Sequence, residues 1–395
     1  MLSSQKNVTR IDAMDALRAV VMFCVVLTHA VIPYMTLHMP DLRWSVYEFS
    51  GKPLFDWIFV TVRGFTMPVF FLIAGFWSMY YRCRLTAKEF IRKRANRILI
   101  PLIWGLLIVL PITYYIWAFG WMAMGECFLL EIFLWKFPDE IMRNLYGPVH
   151  LWFLIYLFLM MLMFLAVTAL KFKTDWIRDK LRYIQLCRVF SPLCLCVPTA
   201  LILSLNSGAM WNFHNTILIE PMKFMHYSWF FAVGTLFYRK REEIARLAEF
   251  AWIYLAAALP LLIFTKVLLF QNIESGIHTD FKLGIINALY VWFFTYAVLA
   301  LAFKYLNKPI AVLRYFADAS YWFYLTHFTL IGLLHLILYF VEVNLYAKCM
   351  ISLILTAAIC TWTYHRFVRF TFIGSTLHKP QLKQNGEPVS SKPSL

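Results

Sequence analysis

The sequence predicts an all-α fold: a polytopic bundle of about ten transmembrane helices, with both ends in the cytoplasm. Hydrophobic residues fill 62% of the 395 positions, whereas soluble domains contain roughly 45–50%. Charged residues fall to 15%, and no polar stretch is long enough for a soluble domain. We therefore expect one membrane domain at 17–370, flanked by a cytoplasmic tail at 1–16 and a disordered cytoplasmic tail at 371–395.

Apolar runs of the length that a membrane span requires recur along the chain. A hydrocarbon core about 30 Å thick is crossed by about 20 apolar residues of helix. Suitable runs lie at 17–37, 57–81, 98–118, 150–170, 189–206, 222–238, 249–270, 283–303, 316–340 and 347–365. The first run contains Arg18 and His29 and is too long for a cleavable signal peptide.

Basic residues fall in every second connection between these runs. The connection after the second run reads RCRLTAKEFIRKRANR, and those after the fourth, sixth and eighth runs are also basic. The intervening connections at 38–56, 119–149 and 341–346 are poor in Lys and Arg. This alternation is typical of cytoplasmic loops and places both ends inside. The formal charge of +16 therefore favours contact with anionic membrane lipid, and we expect no nucleic-acid partner.

The first run carries ionisable residues where a membrane span should be apolar. Arg18 and His29 are eleven positions apart, which places them on one helical face about 16 Å apart along the axis. Asp15, three residues before Arg18, can pair with it. Ionisable groups at membrane depth are costly and usually functional. The alternative is an arginine that reaches the lipid interface beside a histidine packed in the core.

The ninth run repeats this feature. Ser320, Tyr324 and His327 recur at spacings of four and three, so they share a helical face. His327 lies about as deep in its run as His29 lies in the first run. Two imidazoles at similar depth predict one polar cavity, which by itself would suit a proton-coupled transporter equally well.

The basic connection before the third run contains a candidate phosphate site. Arg94 and Arg97 lie one turn apart, just before Pro101. Two guanidinium groups on one helical face suit adjacent phosphates, because each offers a planar fork of donors. The alternative is ordinary contact with lipid head groups. Beside a buried histidine, such a clamp suggests a donor substrate that bears a nucleotide.

Five motifs in order carry a resemblance to a known family. They are Asp15-Ala-Leu-Arg18 followed by His29, MPVFFLIAGFWS from Met67 with Gly75, Arg94-x-x-Arg97 with Pro101, His150-Leu-Trp152-Phe153-Leu, and Ser320 with Tyr324-Leu-x-His327. Over most of its length the chain resembles the acyltransferase-3 membrane O-acyltransferases. The sequences of these motifs are most similar to those of the branch that includes the periplasmic glucan succinyltransferase. One departure is Ala74, where many relatives have Ser.

The resemblance implies a function and roles for these residues. It implies acyl transfer from cytoplasmic acetyl-CoA or succinyl-CoA, used as a co-substrate, to a hydroxyl of an envelope polysaccharide or glucan at the bacterial inner membrane. By position, Arg94 and Arg97 would hold CoA phosphates, Arg18 would steer the donor and His29 would be catalytic. His29 would act either as a general base or as a transient acyl carrier. Asp15 would support Arg18.

The acceptor side is open to two interpretations. His150 and Trp152 begin the fourth run at the external edge, where the indole would either stack on a sugar or anchor the interface. Arg63, in the second run, would contact an anionic acceptor or reach the lipid surface. We expect no metal and no bound cofactor. The alternative function is a transporter or flippase for an envelope glycan or a lipid-linked precursor.

Overall fold

The computed structural model describes residues 11–142, 145–169, 186, 188–213, 215–277, 279–371 and 374. Within these ranges the chain is helical and contains no β-strand. The predicted tails up to residue 10 and beyond 374 lie outside the described residues. The same holds for most of the basic connection after the fourth run.

Helices follow one another along the whole described chain. The α-helices are α1 Asp12–Val31, α2 Pro53–Arg82, α3 Ala87–Trp104, α4 Leu110–Ala123, α5 Leu129–Leu134, α6 Asp139–Met142, α7 Trp152–Ala169, α8 Ser191–Leu205, α9 Pro221–Arg239, α10 Ala251–Glu274, α11 Phe281–Tyr305, α12 Ala311–Tyr339 and α13 Leu345–Thr363. Short 3-10 turns extend α1 (Ile32–Tyr34) and precede α7 (Val149–Leu151) and α10 (Ile244–Phe250). A π-turn at Gly105–Val109 joins α3 to α4 without a break.

Each predicted apolar run coincides with a helix. In the described part of the chain, eight helical stretches are long and apolar enough to cross a membrane. The remaining runs correspond to α8, a shorter apolar helix of 15 residues, and to α9, which carries Lys223, His226 and Arg239. The protein is therefore a multi-pass membrane bundle. The count of ten spans and the orientation of the two ends stay predictions.

The third helix begins earlier than the apolar run that predicts it. Thr86 caps α3: its side chain accepts a hydrogen bond from the Glu89 N–H, and the Glu89 carboxylate accepts one from the Thr86 N–H. This reciprocal cap satisfies two of the free donors at a helix start and fixes the helix at Ala87, eleven residues before the run. Arg94 and Arg97 therefore lie on a helix that continues into the membrane domain.

Two glycines allow α2 and α9 to pack with their backbones in contact. A Cβ atom on Gly75 would collide with the carbonyl oxygen of Phe231, and one on Gly234 would collide with that of Leu72. Small residues are the usual means by which membrane helices approach this closely. The glycine of the second motif thus has a packing role.

The segment between α1 and α2 folds back onto the bundle. Trp44 is 1% exposed, and its indole N–H donates to Nδ1 of His335 at 2.8 Å. From α4, the Trp117 and Trp121 indoles donate to the carbonyl oxygens of Arg43 and Trp44, at 3.1 and 3.0 Å. Residues 41–44, which we call the roof segment, are consequently bonded to α4 and α12.

Candidate active site

A cavity lies within the bundle beneath the roof segment. It contains about 1140 Å³ of space between atoms, with the open solvent at its mouth included. The described residues with ionisable, hydroxyl, amide or indole groups in its lining are Thr28, His29, Asp41, Arg43, Trp44, Arg63, Thr66, Thr113, Tyr114, Trp117, Trp121, His150, Trp152, Asn212, Asn215, Lys223, Tyr324 and His327. Residues from six α-helices, from the turn before α7 and from two loops thus meet in one chamber.

His29 and His327 are in direct contact in this cavity. His29 Nδ1 lies 3.1 Å from His327 Nε2. His327 Nδ1 in turn faces the carbonyl oxygens of Phe323 and Tyr324, at 2.7 and 3.0 Å. A carbonyl only accepts, so His327 Nδ1 carries a proton and, in the neutral ring, Nε2 carries the lone pair. His29 Nδ1 must then donate to it, which leaves the His29 lone pair on Nε2.

His150 is the third histidine of the cavity. Its ring stacks on Phe328 with centroids 4.7 Å apart and lies 5.7 Å from the ring of His327. The side chain is buried, and neither ring nitrogen has a hydrogen-bond partner in good geometry among the described residues. The Tyr324 hydroxyl donates to the His150 carbonyl oxygen at 2.6 Å. Two predicted site residues thereby tie the start of α7 to α12.

The turn before α7 is held in an unusual conformation. Val149 has a φ of 49°, which is rare for a β-branched residue and costs free energy. Its N–H donates to Oδ1 of Asn215 at 2.8 Å, and Nδ2 of Asn215 donates to the Tyr114 hydroxyl at 2.9 Å. Because these bonds fix the backbone one residue before His150, they also fix the direction of that side chain.

Arg18, Asp15 and Ser320 meet outside the described lining of the cavity. Arg18 donates from Nε and Nη2 to the Ala317 carbonyl oxygen, at 3.1 and 2.6 Å. The Ser320 hydroxyl donates to the same oxygen at 2.8 Å, and Asp15 Oδ1 is 3.8 Å from Arg18 Nη2. These groups join α1 to α12, and the Ser320 hydroxyl is directed back along its own helix.

The two predicted donor-binding arginines also lie away from the cavity lining. Arg94 Nη2 donates to the Trp77 carbonyl oxygen at 3.4 Å, and its guanidinium lies 4.4 Å from the centre of the Tyr81 ring. Arg97 interacts electrostatically with Arg94 and with Tyr321 of α12. Tyr321 precedes His327 by six residues, about 9 Å of helix. The arginine pair therefore approaches the same helix that carries His327, at a different depth.

The other predicted residues line the cavity, beside cationic and aromatic residues that the motifs did not include. Trp152 contributes its indole to the wall, with Lys223 Nζ 4.8 Å from the ring centre. Arg63 lies with its guanidinium carbon 3.9 Å from the centre of the Phe213 ring. Lys223 was detectable, since it is a lysine inside an apolar run. Trp44 was not, because its partner His335 is 291 positions away.

The fold and the cavity define a multi-pass membrane protein with a histidine-lined chamber inside its helix bundle. Residues 11–365 match the family model described as an acyltransferase domain, Acyl_transf_3. The chain therefore belongs to the acyltransferase-3 family, and it is an acyltransferase. No curated protein and no solved structure matches it significantly. Its similarity to the glucan succinyltransferase branch stays a prediction.

Proposed function

We propose that this acyltransferase moves an acetyl or succinyl group from cytoplasmic acyl-CoA to a hydroxyl of an envelope polysaccharide or glucan, in a bacterial inner membrane. The observation that supports this most directly is the contact between His29 and His327. It leaves one basic nitrogen, Nε2 of His29, on a ring that lines the cavity.

In the first form of the mechanism, His29 is a general base. Nε2 removes the proton of the acceptor hydroxyl while its oxygen attacks the thioester carbonyl. The tetrahedral intermediate collapses, the C–S bond breaks, and the CoA thiolate takes the proton from the imidazolium. The ester and free CoA are the products. Throughout, His29 Nδ1–H keeps its acceptor on His327, which favours the imidazolium as it forms.

In the second form, the same nitrogen is the nucleophile. Nε2 attacks the thioester and expels CoA as its thiolate, which leaves an acyl-imidazolium. The acceptor hydroxyl then attacks this acyl group, the C–N bond breaks, and the hydroxyl proton passes to the freed Nε2 and from there to water. Both forms need a deprotonated Nε2, so the contact with His327 supports either. Mass spectrometry of protein quenched with acyl-CoA in the absence of acceptor separates them, because only the second form accumulates acyl-His29.

The donor would bind through Arg94 and Arg97. Arg97 and Thr113 of the cavity wall are 16 residues apart on the continuous α3–α4 helix, about 24 Å along its axis. A donor whose phosphates sit at the arginine pair must therefore extend its thioester toward His29. An extended pantetheine arm suits that geometry, since its charged and reacting ends are far apart.

The experiment is acyl transfer by the full chain reconstituted in lipid nanodiscs. Labelled acetyl-CoA or succinyl-CoA is the donor and short glucan oligosaccharides are the acceptor. We expect His29→Ala to lower the rate by about 10²–10⁴-fold, while His365→Ala, at an exposed position far along the chain, leaves the rate unchanged. Unchanged transfer by His29→Ala would refute the catalytic assignment. Glucan movement across proteoliposomes without acylation would favour the transporter alternative.

A further inference from the structure

Two cations share the cavity with His29 and form no ion pair with a carboxylate of the described residues. Arg63 from α2 and Lys223 from α9 both line the chamber. Lys223 is only 6% exposed, and Nε of Arg63 is buried without a hydrogen-bond partner among the described residues. Charges taken out of water are costly unless paired. This pair is therefore an unexplained feature of the reaction chamber.

The neighbouring acidic groups do not neutralise this pair. In the described lining, Asp41 carries the single carboxylate, and it is not among the charges that act on Arg63 or Lys223. Glu220 attracts Lys223 electrostatically, but no ion pair within 4.0 Å joins them in the described structure. Arg63 and Lys223 repel each other instead.

Two other cations of the same protein are paired with acids. Lys348, 5% exposed, has Nζ 2.5 Å from Glu48 Oε1. Arg43, also at the cavity, contacts Glu126 and Glu140 at 2.8 and 3.0 Å. At these two sites a carboxylate balances the cation. For Arg63 and Lys223, no carboxylate of the described residues forms such an ion pair, so a bound anion would supply the counter-charge.

Aromatic rings position the two cations without neutralising them, so both remain able to bind an anion. The Arg63 guanidinium lies on Phe213, 3.9 Å from the ring centre, and Lys223 Nζ lies 4.8 Å from the centre of the Trp152 ring. Aromatic faces attract cations and orient them without neutralising their charge. Lys223 Nζ donates one long bond, 3.5 Å, to the Asn212 carbonyl oxygen, so an ammonium has further donors for a ligand.

One of the two cations, Arg63, also acts on the reacting histidine. Arg63 is close enough for its charge to interact with His29. A positive charge at this position disfavours a second one on the imidazole, so an anion bound at Arg63 would make proton uptake by His29 easier. An anionic substrate would then contribute to its own reaction, whereas a neutral one would leave the repulsion in place.

We propose that Arg63 and Lys223 form an anion subsite that holds a carboxylate or phosphate of one of the two substrates beside His29. This inference rests on the proposed acyl transfer and narrows its substrate class. The anion belongs either to the acyl group, as the free carboxylate of a dicarboxylic half-thioester, or to an acidic substituent of the acceptor sugar. The two sources share one recognition chemistry, charge-assisted hydrogen bonds from a guanidinium and an ammonium.

The experiment compares two pairs of probes, in each of which one member carries a carboxylate that the other lacks. Succinyl-CoA and butyryl-CoA share a four-carbon chain, and glucuronate and glucose differ in a carboxylate. Their affinities for the detergent-purified full chain are measured by calorimetry in wild type, Arg63→Gln and Lys223→Met. We expect wild type to bind one charged probe about tenfold or more tighter than its neutral partner, and each variant to lose most of that preference. The pair that shows the effect identifies the source.

Controls separate the subsite from folding and from the proposed function. Lys266→Met removes a cation that also lies over an indole ring, that of Trp57 at 5.0 Å, but it is not part of the described lining, so it should keep the preference. Lys223→Arg, which preserves the positive charge, should also keep the preference for the charged probe. Butyryl-CoA binding reports on the acyltransferase function, and charge discrimination reports on the subsite. Equal affinities within both probe pairs in wild type, or a preference that survives in both variants, would overturn the subsite.

Discussion

His29 Nδ1 and His327 Nε2, from helices at opposite ends of the chain, lie 3.1 Å apart. The carbonyl oxygens of Phe323 and Tyr324 fix the tautomer of His327, and His327 thereby fixes that of His29. The arrangement resembles the use of an oriented acceptor behind a catalytic imidazole in hydrolases, with a second imidazole in the place of a carboxylate. His327 is accordingly a positioning residue.

Replacing His327 should slow catalysis without weakening donor binding. His327→Phe removes the acceptor for His29 Nδ1–H, so we expect kcat to fall about 10–100-fold while KM for acyl-CoA is unchanged. His327→Gln keeps an acceptor oxygen and should recover part of the rate. Steady-state kinetics in nanodiscs measures both values. An equal loss of kcat in the Phe and Gln variants would show that His327 only fills space.

Removing Arg94 and Arg97 should weaken donor binding, in contrast to the loss of kcat expected for His327 variants. Arg94→Ala with Arg97→Ala should weaken binding of a non-hydrolysable acyl-CoA analogue about tenfold or more, because charged hydrogen bonds are each worth ~1.5–3 kcal/mol. Lys at either position should rescue only in part, since an ammonium lacks the planar fork. Titration calorimetry is the measurement, with His29→Ala as the control that keeps donor affinity. If the double variant bound the analogue as tightly as wild type does, Arg94 and Arg97 would be assigned to contact with lipid head groups.

The alternation of basic connections predicts the topology. Reporter fusions near Lys93, Arg178 and Lys383 should be cytoplasmic, and fusions near Asp139 and Asn344 should be external. Lys93 lies near the start of the continuous α3–α4 helix and Asp139 lies beyond its end, so they form the most informative pair. A cytoplasmic signal at Asp139 would contradict the ten-span arrangement.

The close approach of α2 and α9 predicts sensitivity to small substitutions. Gly75→Ala or Gly234→Ala places a Cβ against a backbone carbonyl of the other helix, and the helices must separate to accept it. We expect a loss of about 1–3 kcal/mol, as overpacking usually costs, seen as a lower unfolding temperature in detergent. Gly125→Ala is a contrasting control. Its Cβ would meet nothing within 4 Å, and only its φ of 79° would be strained.

Helical spacing in the sequence predicted which nearby residues share a face at the site. It could not predict the contacts between segments that are far apart in the chain. Asp15 and Arg18 are within reach of each other because i and i+3 share a helical face. Tyr324 and His327 reach the cavity for a related reason. Spacing cannot show that Ser320 bonds to a carbonyl of its own helix. Nor can it show that the roof segment returns between the helices, since that path depends on partners almost 300 positions away.

The π-turn at Gly105–Val109 has a consequence for the aromatic wall of the cavity. A π-turn adds one residue to a helix, and each residue turns an α-helix by about 100°. Thr113, Trp117 and Trp121 all follow this insertion and all line the cavity. Removing a single residue from the turn would rotate them together, away from the chamber and from the carbonyl oxygens of Arg43 and Trp44. The direction in which these side chains point is therefore set by five residues, Gly105–Val109, that are not part of the described lining.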